Sequence, residues 1–218
     1  MKGNHTMTRA EQQAAEYAAS QQKIVEAAYR LFSQRNIDSV KPAEIAREVG
    51  LTVRTLQRHF KNKDTLVIET ATWAFQTFTA ENRKRNPEQT GGTAADVYAF
   101  FLDSFLRLYR ERGDLLRFNQ FFNVYVRSEK IDAGQLKPYG GMIDALRERF
   151  RAVYEKGRQD GTLRTDYPEE VIFSATLHLM LAVVTRYAVG LVYDAGVDPE
   201  QELLLQKRML LREFTTTA

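Results

Sequence analysis

Apolar residues recur along this chain at the interval of an α-helix. Ile24, Ala27, Ala28, Leu31 and Phe32 stand at i, i+3, i+4, i+7 and i+8, which predicts an amphipathic first helix from Ser20 onward. The polar run Gln34-Arg35-Asn36 ends it, and Pro42 suits the first turn of a short second helix that turns Ile45 and Val49 inward. Gly50 closes that helix. Thr52 is a good N-cap for a third helix with Val53, Leu56 and Phe60 on one side, and Asn62 can cap a fourth beginning at Lys63. Further helices are predicted over 63–85, 93–112, 114–127, 138–159, 168–192 and 199–213, with breaks at Gly91-Gly92, Gly113, Gly134, Asp160-Gly161 and Asp198-Pro199. No stretch alternates apolar and polar residues as a half-buried strand would, and no internal repeat is present. The expected fold is all-α, with about nine helices: an N-terminal three-helix head containing a helix-turn-helix, joined by a fourth helix to a C-terminal helical body.

Composition narrows the class. The 218 residues are 44% hydrophobic and 27% charged, the balance of a soluble globular protein long enough to bury a real core. The lack of cysteine excludes disulfides, thiolate metal sites and cysteine nucleophiles, and a cytoplasmic location is expected. The first 19 residues are polar, without the apolar run of a secretory signal, and read as a flexible leader, native or added. Residues 171–192 are apolar enough to raise a membrane span. Ser174, Thr176, His178, Thr185 and Arg186 interrupt them, however, and a central Arg costs roughly 2.5–3.5 kcal/mol on insertion scales, so a helix buried in protein is the better reading. Charge is uneven: between 20 and 85, twelve Lys and Arg face seven Asp and Glu, whereas seventeen face nineteen beyond 85. A basic head suggests a polyanionic partner.

The third helix carries the candidate chemistry. At about 100° per residue, Val53, Leu56 and Phe60 share one side, while Arg54, Thr55 and Arg58 lie opposite. Two guanidinium groups and a hydroxyl on a short anchored helix suit the major groove, where Arg pairs bidentately with guanine and a Thr methyl can touch thymine. An ordinary solvated face has the same composition, and the neighbouring helix starts favour the DNA reading. Lys41 precedes Pro42 at the start of the second helix and Lys63 begins the fourth, although a cation there opposes the macrodipole. A phosphate at each would resolve the conflict. Gln57, at the edge of the exposed face, fits a bidentate contact with adenine and a plain solvated residue equally well.

These residues carry a resemblance. Ile24-Val25-Glu26-Ala27-Ala28, then Leu31-Phe32, then Glu44-Ile45-Ala46-Arg47-Glu48-Val49-Gly50-Leu51-Thr52, then Thr55-Leu56, and finally His59-Phe60-Lys61-Asn62-Lys63-Asp64-Thr65-Leu66 resemble the head of the tetracycline-repressor (TetR) family of regulators over residues 23–75. The resemblance implies that Thr52, Arg54, Thr55, Arg58 and His59 approach DNA from the recognition helix, with Lys41 and Lys63 on phosphates. Gln57 stands where the family usually has Tyr, Asn36 replaces a common turn Gly, and Lys41-Pro42 replaces a Ser or Thr cap. These departures bear on the operator sequence rather than on the fold. The organisation expected is a leader (1–19), a DNA-binding domain (20–66) and a ligand-binding and dimerisation domain (67–218).

In the body, 171–192 is apolar on nearly every side, so one core cannot use all of it and a partner subunit would cover the remainder. With the helix over 199–213 it would build a two-fold four-helix interface, as in the resembled family, pairing two heads on a near-palindromic operator. Aromatic residues crowd the middle of the chain, mostly as core. Combined with polar groups on the same helices they permit an apolar pocket with a few orienting hydrogen bonds, and the residues expected to line it are Trp73, Phe101, Phe105, Phe118, Phe122, Asn119, Asn123 and His178.

The expected function is a DNA-binding transcriptional regulator, a repressor released by a hydrophobic or aromatic effector, with no cofactor and no metal. The alternative is a sequence-indifferent or architectural DNA-binding protein without an effector. Catalysis is not expected: His5, His59 and His178 lie far apart, and neither a Gly-rich phosphate loop nor a Gly-x-Ser-x-Gly elbow occurs.

Overall fold

The computed structural model describes residues 8–85, 91–128, 131–191 and 196–216. Among the described residues the chain forms nine α-helices and one 3-10 turn, with no strand beyond a single antiparallel bridge between Leu163 and Thr215.

Helix α1 (Arg9–Gln34) begins well before the expected Ser20. Thr8 accepts from the Glu11 amide, and the Glu11 carboxylate accepts from the Thr8 amide at 2.7 Å, a capping box that satisfies two donors at the helix start. Residues 9–19 are therefore helix rather than flexible leader, and residues 1–7 lie outside the described residues. After the 3-10 turn (Ile37–Ser39), α2 (Pro42–Glu48) and α3 (Val53–His59) form the helix-turn-helix. Gly50 turns the chain between them at φ +70°, and the Leu51 amide reaches back to the Ala46 carbonyl at 2.8 Å. Ile24, Ala28, Phe32, Ile45, Leu56 and Phe60 are buried together. Val53 is the exception to the predicted inner face: at the first position of α3 it is 37% exposed, because the helix has not yet turned over α2 there.

Helix α4 (Lys63–Arg83) leaves the head and enters the body of α5 (Ala94–Glu111), α6 (Gly113–Ser128), α7 (Lys137–Asp160), α8 (Glu169–Ala188) and α9 (Pro199–Phe214). Helix α8 stops short of the expected 192. Gly190 adopts φ +74° and the Leu191 amide bonds the Arg186 carbonyl at 3.0 Å, closing the helix; Val192 lies outside the described residues.

Helix α1 packs on both α4 and α6, so the buried core runs unbroken from head to body. At the seam Tyr29 meets Trp73 edge-on (centroids 5.6 Å) and Phe118 (5.4 Å). Its hydroxyl donates to Asp114 Oδ2 at 2.5 Å and accepts from Arg112 Nη2 at 3.0 Å. Burial, then the Asp114 carboxylate, push the Tyr29 phenol well above its ordinary range. Further along α6, the Tyr125 hydroxyl donates to Asp64 Oδ1 at 2.6 Å, in the first turn of α4.

Candidate nucleic-acid interface and effector cavity

Helix α3 is held from beneath by Leu56 and Phe60, 4% and 1% exposed, and presents Arg54, Gln57 and Arg58 to solvent. Thr52 caps it, accepting from the Thr55 amide at 3.1 Å, and the two hydroxyls lie 2.9 Å apart. Thr55 is thus half-buried and partly committed to the cap. Val53, which the helical period places inward, is exposed beside Arg54. The exposed polar face consequently rests on Arg54, Gln57 and Arg58, with Thr52 at its start.

His59 stands apart from that face. Its ring stacks on Tyr17 of α1 (centroids 4.4 Å, planes 29° apart), and Nε2 lies 3.2 Å from the Ser20 hydroxyl. Burial, then the charge of Arg58, lower its pKa, which favours the neutral ring. The Tyr17 hydroxyl donates to the Arg58 carbonyl at 3.2 Å. His59 thereby fastens the end of α3 to the α1 extension. Tyr17 and Ser20 escape a reading that starts the fold at residue 20, although the Thr8-x-x-Glu11 spacing signals a helix start there.

The two helix-start lysines differ. Lys41 is exposed, and its backbone amide donates to Glu44 Oε1 at 2.9 Å. That backbone hydrogen bond, then Arg35, hold the Glu44 carboxylate below its ordinary pKa. The helix start is therefore already compensated by an acidic side chain, which removes the need for a phosphate there while leaving the Lys41 ammonium in solvent. Lys63 is half-buried: Nζ donates to the Asp38 carbonyl at 3.2 Å and lies 5.5 Å from the Tyr125 ring centroid. Lys61, exposed two residues earlier, is an additional cation at this end of the head.

A cavity of about 310 Å³ lies within the body, at the lower end of the roughly 300–1,000 Å³ that small-molecule sites span. Phe75 and Phe78 of α4, Phe100, Phe101 and Phe105 of α5, Tyr139 and Phe150 of α7, and Leu177 and Leu181 of α8 make its apolar walls. Burial pushes the Tyr139 phenol up to about 12. Most polar groups at the wall are occupied: Asn82 accepts from Arg107 at 3.1 Å, Ser104 bonds both the Phe100 carbonyl and Arg107, and Tyr98 and Thr176 pair at 2.7 Å. Asn119 of α6 is only 4% exposed and lines the cavity with a carboxamide that has no hydrogen-bond partner among the described residues.

Of the residues expected to line a pocket, Phe101, Phe105 and Asn119 do so. The others are placed elsewhere. Trp73 and Phe118 pack against Tyr29 at the head–body seam, and Phe122 packs against Tyr139 (centroids 4.8 Å) within the core. Asn123 is exposed on α6, and His178 is exposed on α8 with Ser174 at 3.3 Å. One residue of helix is a rotation of about 100°, so Leu177 faces the cavity while His178 faces outward. No periodic pattern reveals which of several buried faces borders the void.

On the outside of the body, α8 exposes Val171 (44%) and Leu179 (52%), and α9 exposes Leu205 (49%) and Met209 (61%). Both pairs fall on one stripe of their helix.

The family model for bacterial regulatory proteins of the tetR family matches residues 24–70. An HTH-type transcriptional regulator of Staphylococcus aureus (strain USA300) is 38% identical over 47 residues, 22% of this chain; the match spans about a quarter (25%) of that relative's length. Among solved structures, a bacterial regulatory protein of the tetR family from Rhodococcus aligns with a TM-score of 0.65 at 16% identity, over 88% of this chain and 95% of that one. The regulator FadR of Bacillus subtilis, in complex with stearoyl-CoA, aligns with a TM-score of 0.69 at 15% identity, over 87% and 97%. Residues 24–70 thus match the tetR family of bacterial regulatory proteins, and the whole chain has the all-helical fold of these solved structures.

Proposed function

We propose that this chain is a transcriptional repressor that binds a near-palindromic operator as a homodimer and leaves it when a hydrophobic or aromatic effector enters the body. Residues 20–66 act as the DNA-binding domain, now braced by 9–19, and 67–218 as the ligand-binding and dimerisation domain. The observation that carries the reading is α3: a short helix anchored by Leu56 and Phe60 that offers Arg54, Gln57 and Arg58 outward. Base reading belongs to these three with Thr52 and Thr55, phosphate contact to Lys41 with Lys63 nearby, and positioning of α3 to His59. The exposed apolar stripes of α8 and α9 support a two-fold interface, and a soluble cytoplasmic regulator acting at the nucleoid follows from the DNA partner.

The cavity supports the effector half of the reading. Asn119 at the cavity wall offers a carboxamide to a bound molecule with one suitably placed polar atom. Effector binding among α4, α5, α6 and α7 would shift the angle of α4, and with it the separation of the two recognition helices.

Selection of bound sequences from a random duplex pool, followed by titration of the winner across a salt series, tests the proposal. Enrichment of a palindrome, with Arg58→Ala losing about 1–3 kcal/mol and relaxing preference at one position per half-site, is the expected result. No enrichment, and an equal loss for all DNA, would hand the chain to the sequence-indifferent reading.

A further inference from the structure

The walls of the cavity are not equally firm. Helices α5 and α6 contribute buried side chains, Tyr98, Phe105, Leu108 and Asn119, whereas α7 contributes Tyr139, Met142, Ile143 and Leu146, each only half-buried. The first buried side chain along α7 is Phe150. The start of α7 is also weak as a helix. Leu136 at its N-cap makes no side-chain hydrogen bond, no acid stands in the first turn, and Lys137 sets a cation against the macrodipole. Among the described helices, α7 alone lacks both a side-chain cap and a first-turn acid. Gly140 and Gly141 follow at once, inside the helix, where glycine is less stable than alanine. Neither is required there by space or by backbone: a Cβ at either position would meet nothing within 4 Å, and neither has a positive φ. Gly141 and Met142 border an open groove of about 500 Å³ between α4 and α7, and Thr79 and Met142 line groove and cavity alike. Side chains of α4 and of this weak helix start therefore divide the cavity from the outside.

Resting on the effector reading above, we propose that residues 137–146 are the gate of the cavity: they fray from α4 to let an effector pass between groove and cavity, then re-form over it, and Gly140 and Gly141 set how often the gate opens. Fraying here releases half-buried side chains only, while Phe150 keeps the rest of α7 in the core. Pro138, whose fixed φ suits a first turn, favours re-forming. Relative to two alanines, the glycines raise the frayed population by about 10- to 30-fold. A molecule that passes only through the open gate enters and leaves at rates scaled by that population, so the glycines govern speed and not affinity.

Stopped-flow mixing of the full-length protein with N-phenyl-1-naphthylamine, a neutral fluorophore that brightens in apolar surroundings, tests this alongside amide hydrogen exchange read by mass spectrometry. Gly140→Ala/Gly141→Ala should slow association and dissociation together by about 10- to 30-fold, leave Kd unchanged, and protect the amides of 137–146 by a similar factor. Ala145→Gly, at an exposed position in the same stretch, should speed both rates by about fivefold. Unchanged rates despite greater protection would mean entry by another route and overturn the gate. A changed Kd with unchanged association would make the glycines part of the site's shape and overturn it too, as would failure of the probe to bind. The selected operator tests the regulator separately. A probe that follows these rates but leaves operator affinity untouched would sink the effector reading and keep the gate, whereas failure to select any operator would sink the regulator while the rates still decide the gate.

Discussion

Asn119 is a polar side chain on a wall made mostly of phenylalanine, 4% exposed and bordering the cavity. Asn119→Leu replaces the carboxamide at the cavity wall by two methyl groups, so the variant should bind a polar-tipped effector more weakly in calorimetric titration. A second residue-scale expectation concerns His59. Its folded pKa is depressed, so above the ordinary imidazole value of 6.5 the ring is neutral in both the folded and unfolded chain and contributes its full stability. As pH falls below that value the unfolded chain takes up the proton more readily, and stability drains away until the lowered folded pKa is reached. A series of denaturation curves should show this acid loss in wild type and its absence in His59→Phe, which keeps the stack on Tyr17. The place of Asn119 at a pocket was legible from its aromatic neighbours, whereas the packing of His59 was not. His59 lies in the matched head segment, where nothing local signals its stacking on Tyr17, and Asn119 is one of three polar side chains within five positions of α6.

At the scale of elements, capping and turn chemistry explain most boundaries. Gly50 carries φ +70° in the turn of the helix-turn-helix, where a side chain would cost about 1–2 kcal/mol; Gly50→Ala should lower the urea midpoint accordingly with an unchanged slope. Thr52, Asn62, Thr93 and Asp198 each cap the helix that follows. These signals are local, which is why α2 through α7 and α9 fall within a residue or two of their expected limits. The two larger departures are local as well: the Thr8–Glu11 box extends α1 forward, and Gly190 ends α8 early. Helix α6 is the element with most bearing on regulation. It carries Asn119 at the cavity, Asp114 against Tyr29, and Tyr125 against Asp64 at the base of α4. Tyr125→Phe deletes one hydrogen bond in that chain of contacts, and the ratio of operator affinities with and without effector should change by a factor of about two to ten, equivalent to roughly 0.5–1.5 kcal/mol. Fluorescence anisotropy on a labelled operator would read it.

For the whole molecule, the question is what covers α8 and α9. Only 28% of the apolar stretch of α8 is buried within one chain, and Leu179 and Met209 are more than half exposed. Leu179→Glu/Met209→Glu should yield a monomer in sedimentation equilibrium, with operator affinity reduced to that of a single half-site; a dimer that persists would place the interface elsewhere. The sequence by itself determined the nine helices found among the described residues, most of their ends, and the head whose third helix turns Arg54 and Arg58 outward, because helical period, caps and turn glycines act over a few residues. Tertiary structure alone decided which aromatic residues border a void and which fill the core. It also decided that Tyr17 from the first helix would claim His59, and that Arg83 and Arg149, 66 positions apart in the chain, would line the same cavity. Those outcomes depend on how helices distant in sequence rotate and stack against one another, and each amphipathic pattern is compatible with several such packings.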